Sequence, residues 1–152
     1  MVMISVTSHS EECRAQTAAM ADHKVWEHGD ADMRAKVKML VWYLWCKGYG
    51  RVRVREIARS HEAQRQLYGQ GRSTRDMLAA GLAPELAQPR AERVTWIHPD
   101  RSKHVQGRAA DLDLADYESS IGAVIARGCE LVGLQWGGNW KVRDISHVEL
   151  RG

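Results

Sequence analysis

The chain contains no phenylalanine, and only three prolines and three cysteines in 152 residues. Cys13, Cys46 and Cys129 are odd in number, far apart and without a CxxC pair. That excludes a disulfide framework and a cysteine-built zinc site, and leaves buried, reduced thiols as the expectation. No stretch approaches the roughly 20 consecutive apolar residues that a membrane helix needs. No internal repeat or low-complexity tract occurs. The opening MVMISVTSHSEEC has no basic start, no sustained apolar run and no small-residue cleavage site. Synthesis in the cytoplasm without a signal peptide is therefore expected, with no stable membrane association.

What is present is the composition of a globular protein: 44% hydrophobic and 27% charged residues. The length suits one domain spanning residues 1–152, with residues 1–30 as a peripheral extension. The net charge of +3 is unevenly spread, because residues 51–110 hold 12 Lys and Arg against 6 Asp and Glu. A basic middle segment can steer nucleic acid or any anionic polymer, so charge alone does not choose a partner. No nucleic-acid-binding motif accompanies the arginines, and nucleic acid is not expected as a partner.

The pattern predicts a peripheral helix over about 10–29 and a core helix over 32–47, where Met33, Val37, Leu40, Val41, Leu44 and Trp45 recur at helical spacing before Gly48. Trp42 and Tyr43 make nearly every face of that helix apolar, which predicts burial on several sides. In 51–57 Val52, Val54 and Glu56 alternate with three arginines as in a half-buried strand. A helix is expected from Ser60 to about Gln70, then a loop or lid over 76–93. Strands are expected at 94–97, 109–114 and 145–150, and a helix over 117–131 stopped by Gly133. The sum is an α+β fold: a small antiparallel sheet with helices packed around it.

Two constellations carry chemistry, Ser102-Lys-His104-Val-Gln-Gly107-Arg-Ala109-Ala-Asp111 and Asp144-Ile-Ser-His147-Val-Glu149. A catalytic zinc takes about three His, Asp, Glu or Cys ligands and an open position, so His104, Asp111 and His147 are a chemically sensible set. On spacing alone, ordinary loop and strand side chains are the commoner reading of such residues. Glu149 shares a strand face with His147, and Asp113 with Asp111, so either could stand behind a ligand or be merely solvated. Gly107 suits a turn or a close backbone approach. His9, His23, His28, His61 and His98 are expected as surface or loop residues, with His98 beside Pro99 the most interesting of them.

The first constellation resembles the SxHxxGxAxD motif of the zinc D-Ala-D-Ala carboxypeptidase and L-alanyl-D-glutamate endopeptidase family, which includes phage endolysins. Residues 59–72, RSHEAQRQLYGQGR, are similar to its RSxxxQxxLYxxGR segment, and 133–140, GLQWGGNW, to its GLxWGGxW stretch. The likeness spans about 33–150 and leaves 76–93 unmatched. It implies a hedgehog/DD-peptidase-like fold and one catalytic Zn2+ held by His104, Asp111 and His147. It further implies Asp144 as acid/base and Arg59 near the substrate carbonyl or carboxylate. Ser102, Gln64, Tyr68 and Trp136 stand where the cleft would be, although Gln64 and Tyr68 also suit a helix scaffold and Trp136 and Trp140 also suit core packing.

Aspartate rather than glutamate at 144 is more like the endopeptidase branch. The activity implied is hydrolysis of peptidoglycan stem peptides between L-Ala and D-Glu by a monomeric, phage-type endolysin that reaches the wall after release from the cytoplasm. A D-Ala-D-Ala carboxypeptidase and a catalytically silent, zinc-containing wall-binding module are the alternatives.

Overall fold

The computed structural model describes Met20 and residues 23–152. Most of the helix expected over 10–29, together with Cys13 and His9, lies outside the described residues; within them is the short helix α1 (His23–Trp26). The long core helix α2 (Ala31–Cys46) begins at Asp30, whose Oδ1 accepts from the backbone N–H of Asp32 at 2.9 Å and of Met33 at 3.3 Å. This side-chain cap satisfies donors that the first turn cannot pair internally. Met33, Val37, Leu40, Val41 and Leu44 bury one stripe. Burial is not all-round as expected, because Met39 and Trp42 remain 57% and 47% exposed.

Four strands form one antiparallel sheet in the order β1-β2-β4-β3: β1 (Arg53–Glu56), β2 (Ala109–Asp113), β3 (Leu134–Trp136) and β4 (His147–Leu150). Strand β3 is an addition to the sequence reading. Ala110 and Leu112 of β2 and Val148 and Leu150 of β4 join α2 in the core. The alternating residues Asp111, His147 and Glu149 therefore occupy the opposite face. Helix α5 (Gly122–Val132) also packs on the core side through Ile125 and Cys129, and Gly133 ends it at φ +77°. It starts later than expected, Glu118 to Ser120 forming a turn before it. The crossing of α2 and α5 is close at Gly128, where a Cβ would lie 2.6 Å from Leu40 Cδ1.

Strand β1 departs from simple alternation. Val54 pairs with Leu112, but Glu56 rather than Arg55 pairs with Asp111. This bulge inserts one residue, so Ile57, fully buried, takes the core place that alternation gives to Glu56. Glu56 thereby joins the row of Asp111 and His147.

Helix α3 (His61–Gly69) follows, capped by Ser60 Oγ on Ala63 N–H at 3.1 Å. The segment expected as a loop contains α4 (Thr74–Ala79), opened by a capping box between Ser73 and Asp76, and a 3-10 turn at Pro84–Leu86. The Ser-x-x-Asp signature of that box was in the sequence. A bridge between Gln70 and Gln88 ties the segment back to α3. Residues 94–97 are not a strand. The carbonyl of Thr95 accepts from Arg72 Nη2 at 2.9 Å and that of Ile97 from Gln64 Nε2 at 3.5 Å, so side chains satisfy this backbone in place of a sheet ladder. Cys129 is buried as expected and its thiol is pushed up to about 12 by burial, whereas Cys46 is exposed, contrary to expectation.

Candidate metal centre

Strands β2 and β4 pair as Ala109↔Glu149, Ala110↔Val148 and Asp111↔His147. This register sets Asp111 directly beside His147 on the face away from the helices. His104 arrives from the loop before β2. Its carbonyl accepts from Gly107 N–H at 3.1 Å and from Arg59 N–H at 3.0 Å, which fixes the loop to the connection after β1. Gly107 has φ +70°, and a Cβ there would lie 2.9 Å from the His28 carbonyl oxygen. Both the conformation and the contact require glycine.

His104 Nε2, Asp111 Oδ1 and His147 Nδ1 form a nearly equilateral triangle. The edges are 3.3 Å between the histidines, 3.4 Å from His104 to Asp111 and 3.3 Å from His147 to Asp111. All three residues are buried, and among the described residues they are the group able to hold a metal ion. Tetrahedral ligands about 2.0–2.1 Å from zinc stand about 3.3–3.4 Å apart, so the donor set fits such an ion.

Glu149 Oε2 lies 3.0 Å from His147 Nε2. A carboxylate there places the ring proton on Nε2 and turns the Nδ1 lone pair into the triangle. Burial opposes charging of His147, but the hydrogen bonds and charges of Asp111 and Glu149 outweigh it and push the imidazole up to about 9. Burial likewise opposes ionisation of Asp111, yet the hydrogen bonds from His104 and His147 hold its carboxyl far below the usual carboxylate range. The Nδ1 of His104 is buried with no hydrogen-bond partner among the described residues.

The other oxygen of Asp111 faces cations: Oδ2 is 3.5 Å from Arg59 Nη2 and 3.9 Å from Arg55 Nη2. Arg59 is held in turn by Glu56, with Nε to Oε1 at 2.9 Å and Nη2 to Oε2 at 2.5 Å, and its Nη1 donates to Gln64 Oε1 at 2.8 Å. Gln64 is buried and works as a brace between Arg59 and the carbonyl of Ile97.

The remaining residues of the sequence reading fall in different places. Asp144 is exposed on the turn before β4, and its Oδ1 accepts from Ser146 N–H at 3.3 Å and Oγ at 2.9 Å. A Cβ on Gly137 would lie 3.3 Å from Asp144 Cβ and 3.1 Å from His147 Cβ, so this glycine lets the turn close down beside the triangle. Ser102 is buried and its hydroxyl is turned back onto Val105 N–H at 3.4 Å. Tyr68 carries the Arg72 guanidinium over its ring at 3.6 Å. Trp136 is in the core, with Nε1 donating to the Ile145 carbonyl at 2.9 Å. The indole beside the triangle is Trp140, its ring centroid 4.9 Å from that of His147. His98 caps a 3-10 turn, accepting from Asp100 N–H, and stands outside the triangle. Asp113 is exposed and holds the Ala115 N–H at 2.9 Å.

Sequence reasoning missed Glu56, whose signal was the spacing of Val52, Val54 and Ile57: two residues and then three, the mark of a bulge in a half-buried strand.

No protein-family model matches the chain, and no curated protein matches it by sequence. Among solved structures it is similar to the crystal structure of Serratia marcescens L-Ala D-Glu endopeptidase ChiX. The identity is 22% over 89% of this chain and 88% of that chain, with a TM-score of 0.49.

Proposed function

We propose that this chain is a zinc-dependent peptidase of bacterial peptidoglycan that hydrolyses the stem peptide between L-Ala and D-Glu, in the manner of a phage-type endolysin. The observation that carries the reading is the buried triangle of His104 Nε2, Asp111 Oδ1 and His147 Nδ1, with edges of 3.3–3.4 Å. Two imidazoles and one carboxylate are the donor chemistry of a catalytic rather than a structural zinc site. The motifs around 59–72, 102–111 and 133–140 supply the substrate class through the resemblance they carry.

When bound, zinc supplies a Lewis acid that polarises the scissile carbonyl and brings the pKa of water toward neutrality. The chain's own residues do the rest. His104, Asp111 and His147 hold the ion, and Glu149 keeps His147 in the ligating tautomer. Asp144 Oδ1 is engaged by Ser146. Its Oδ2 makes no hydrogen bond among the described residues and takes a proton from attacking water, then returns it to the leaving amine. Trp140, lying against His147, forms a wall of the cleft. The D-Glu and diaminopimelate carboxylates of a stem peptide suit the basic segment 51–110. The enzyme acts as a monomer on the wall after leaving the cytoplasm.

Mass spectrometry of fragments released from purified peptidoglycan tests this, with protein as isolated, after chelation and after zinc is restored. Zinc-dependent fragments with new L-Ala C-termini and D-Glu N-termini are expected. Release of free D-Ala would instead establish a carboxypeptidase. No fragments from folded, zinc-loaded protein would leave a wall-binding module.

A further inference from the structure

We infer that Glu56 and Arg59 form a positioning pair that divides the two oxygens of Asp111, reserving Oδ1 for the metal and keeping Oδ2 away from it. The inference rests on the metal-centre reading above and deepens it. Oδ1 is 3.3–3.4 Å from the two histidine nitrogens, whereas Oδ2 lies 3.5 Å from Arg59 Nη2 and 3.9 Å from Arg55 Nη2. A carboxylate free at both oxygens can chelate an ion with both and fill the position that a catalytic site keeps open for water. A guanidinium on Oδ2 prevents this.

Arg59 carries that role only because it is itself restrained. A guanidinium has a planar fork that matches both oxygens of a carboxylate. Left alone beside Asp111, it would take Oδ1 as well as Oδ2 and compete with the metal for the ligand. Glu56 stops this by occupying Nε and Nη2 at 2.9 and 2.5 Å, and Gln64 holds Nη1 at 2.8 Å. One Nη2 contact is left for Asp111, on its outer oxygen. The β1 bulge is what makes the arrangement possible, since it brings Glu56 opposite Asp111. With its side chain 15% exposed and these partners engaged, Arg59 acts on Asp111 as a positioning residue.

The two members fail in different ways. Glu56→Gln leaves one accepting oxygen for the two donors that Glu56 holds, so one edge of the fork is released toward Asp111, and Zn2+ affinity, measured by competition with a chromophoric chelator, is expected to fall about 10–100-fold, as for other groups that orient a ligand. Arg59→Lys keeps the charge but not the fork, so Asp111 chelates through both oxygens. The d–d absorption of the Co2+-substituted protein is then expected to lose the intensity of a four-coordinate ion. Arg127→Gln, in an exposed ion pair with Glu130 on α5 at the core side of the sheet, should leave both readings at the wild-type level.

The inference is overturned if folded Glu56→Gln keeps wild-type Zn2+ affinity while its peptidase turnover alone falls, since Arg59 would then serve the substrate. It is equally overturned if folded Arg59→Lys keeps the wild-type Co2+ spectrum; should that variant fail to fold, Glu56→Gln decides. If the wild-type chain takes up neither Zn2+ nor Co2+, the proposed function falls along with it.

Discussion

Asp111 and His147 are cross-strand partners in the middle of the sheet, with Oδ1 of one 3.3 Å from Nδ1 of the other. Two of the three metal donors are thus fixed by a backbone ladder. Asp111→Asn keeps the shape of the side chain and removes its charge, so the sheet should survive while metal retention falls by more than the about 10–100-fold expected for an outer partner. Circular dichroism alongside metal analysis after gel filtration checks both halves.

Metal affinity should depend on pH through His147. Its pKa is raised to about 9 because Asp111 and Glu149 outweigh the burial that opposes charging. A metal must displace that proton, so apparent Zn2+ affinity is expected to rise about tenfold per pH unit and to level off above about 9. In the apo chain the sign for stability is the reverse. The raised pKa stabilises the fold fully below the unfolded value of about 6.5, and this contribution is lost as pH climbs toward 9. Chelator competition and thermal melts across pH 6–10 read the two trends.

Glu149→Ala removes the acceptor on His147 Nε2, which lies 3.0 Å away. Zinc affinity is expected to drop about 10–100-fold. Glu149→Gln retains an acceptor and should lose less; equal losses would mean that charge rather than orientation is what Glu149 provides.

Asp144→Asn keeps an oxygen for Ser146 and so keeps the turn. Zinc content should match wild type while turnover falls about 10²–10⁴-fold, the usual worth of a general base. Loss of zinc in this variant would show that Asp144, not Asp111, is the carboxylate ligand.

Gly137→Ala puts a methyl 2.5 Å from the Asp144 carbonyl oxygen and 3.1 Å from His147 Cβ. The turn must shift, at a cost of about 1–3 kcal/mol typical of overpacking. A lower melting temperature and weaker metal binding together are the expected result; a melting temperature equal to wild type would show that the turn yields freely.

The donors His104, Asp111 and His147 were legible as residue types, and so were the core helix stripe and the alternation of 109–113 and 147–150. The segment 94–97 was not. Val, Thr, Trp and Ile favour a strand locally, but the chain gives their carbonyls to Arg72 and Gln64 and leaves Val94, Trp96 and Ile97 exposed at 56%, 69% and 51%. β-propensity describes a fit to a half-buried pleat and cannot supply the neighbouring strand. Trp136 and Trp140 were equally plausible beside the site. A backbone that turns at Gly137 to Asn139 sends the first to the core and the second to His147.

Residue order carries the chemistry on offer: two imidazoles, their carboxylates and the strands that alternate around a core. Folding brings Asp111 to His147, brings Glu56 to Arg59 through a bulge, and turns one oxygen of Asp111 to the histidines and the other to arginine. Alternation fixes which face a side chain takes, a property of neighbouring residues. Register is set by how distant strands settle over a shared core, and no local pattern contains it.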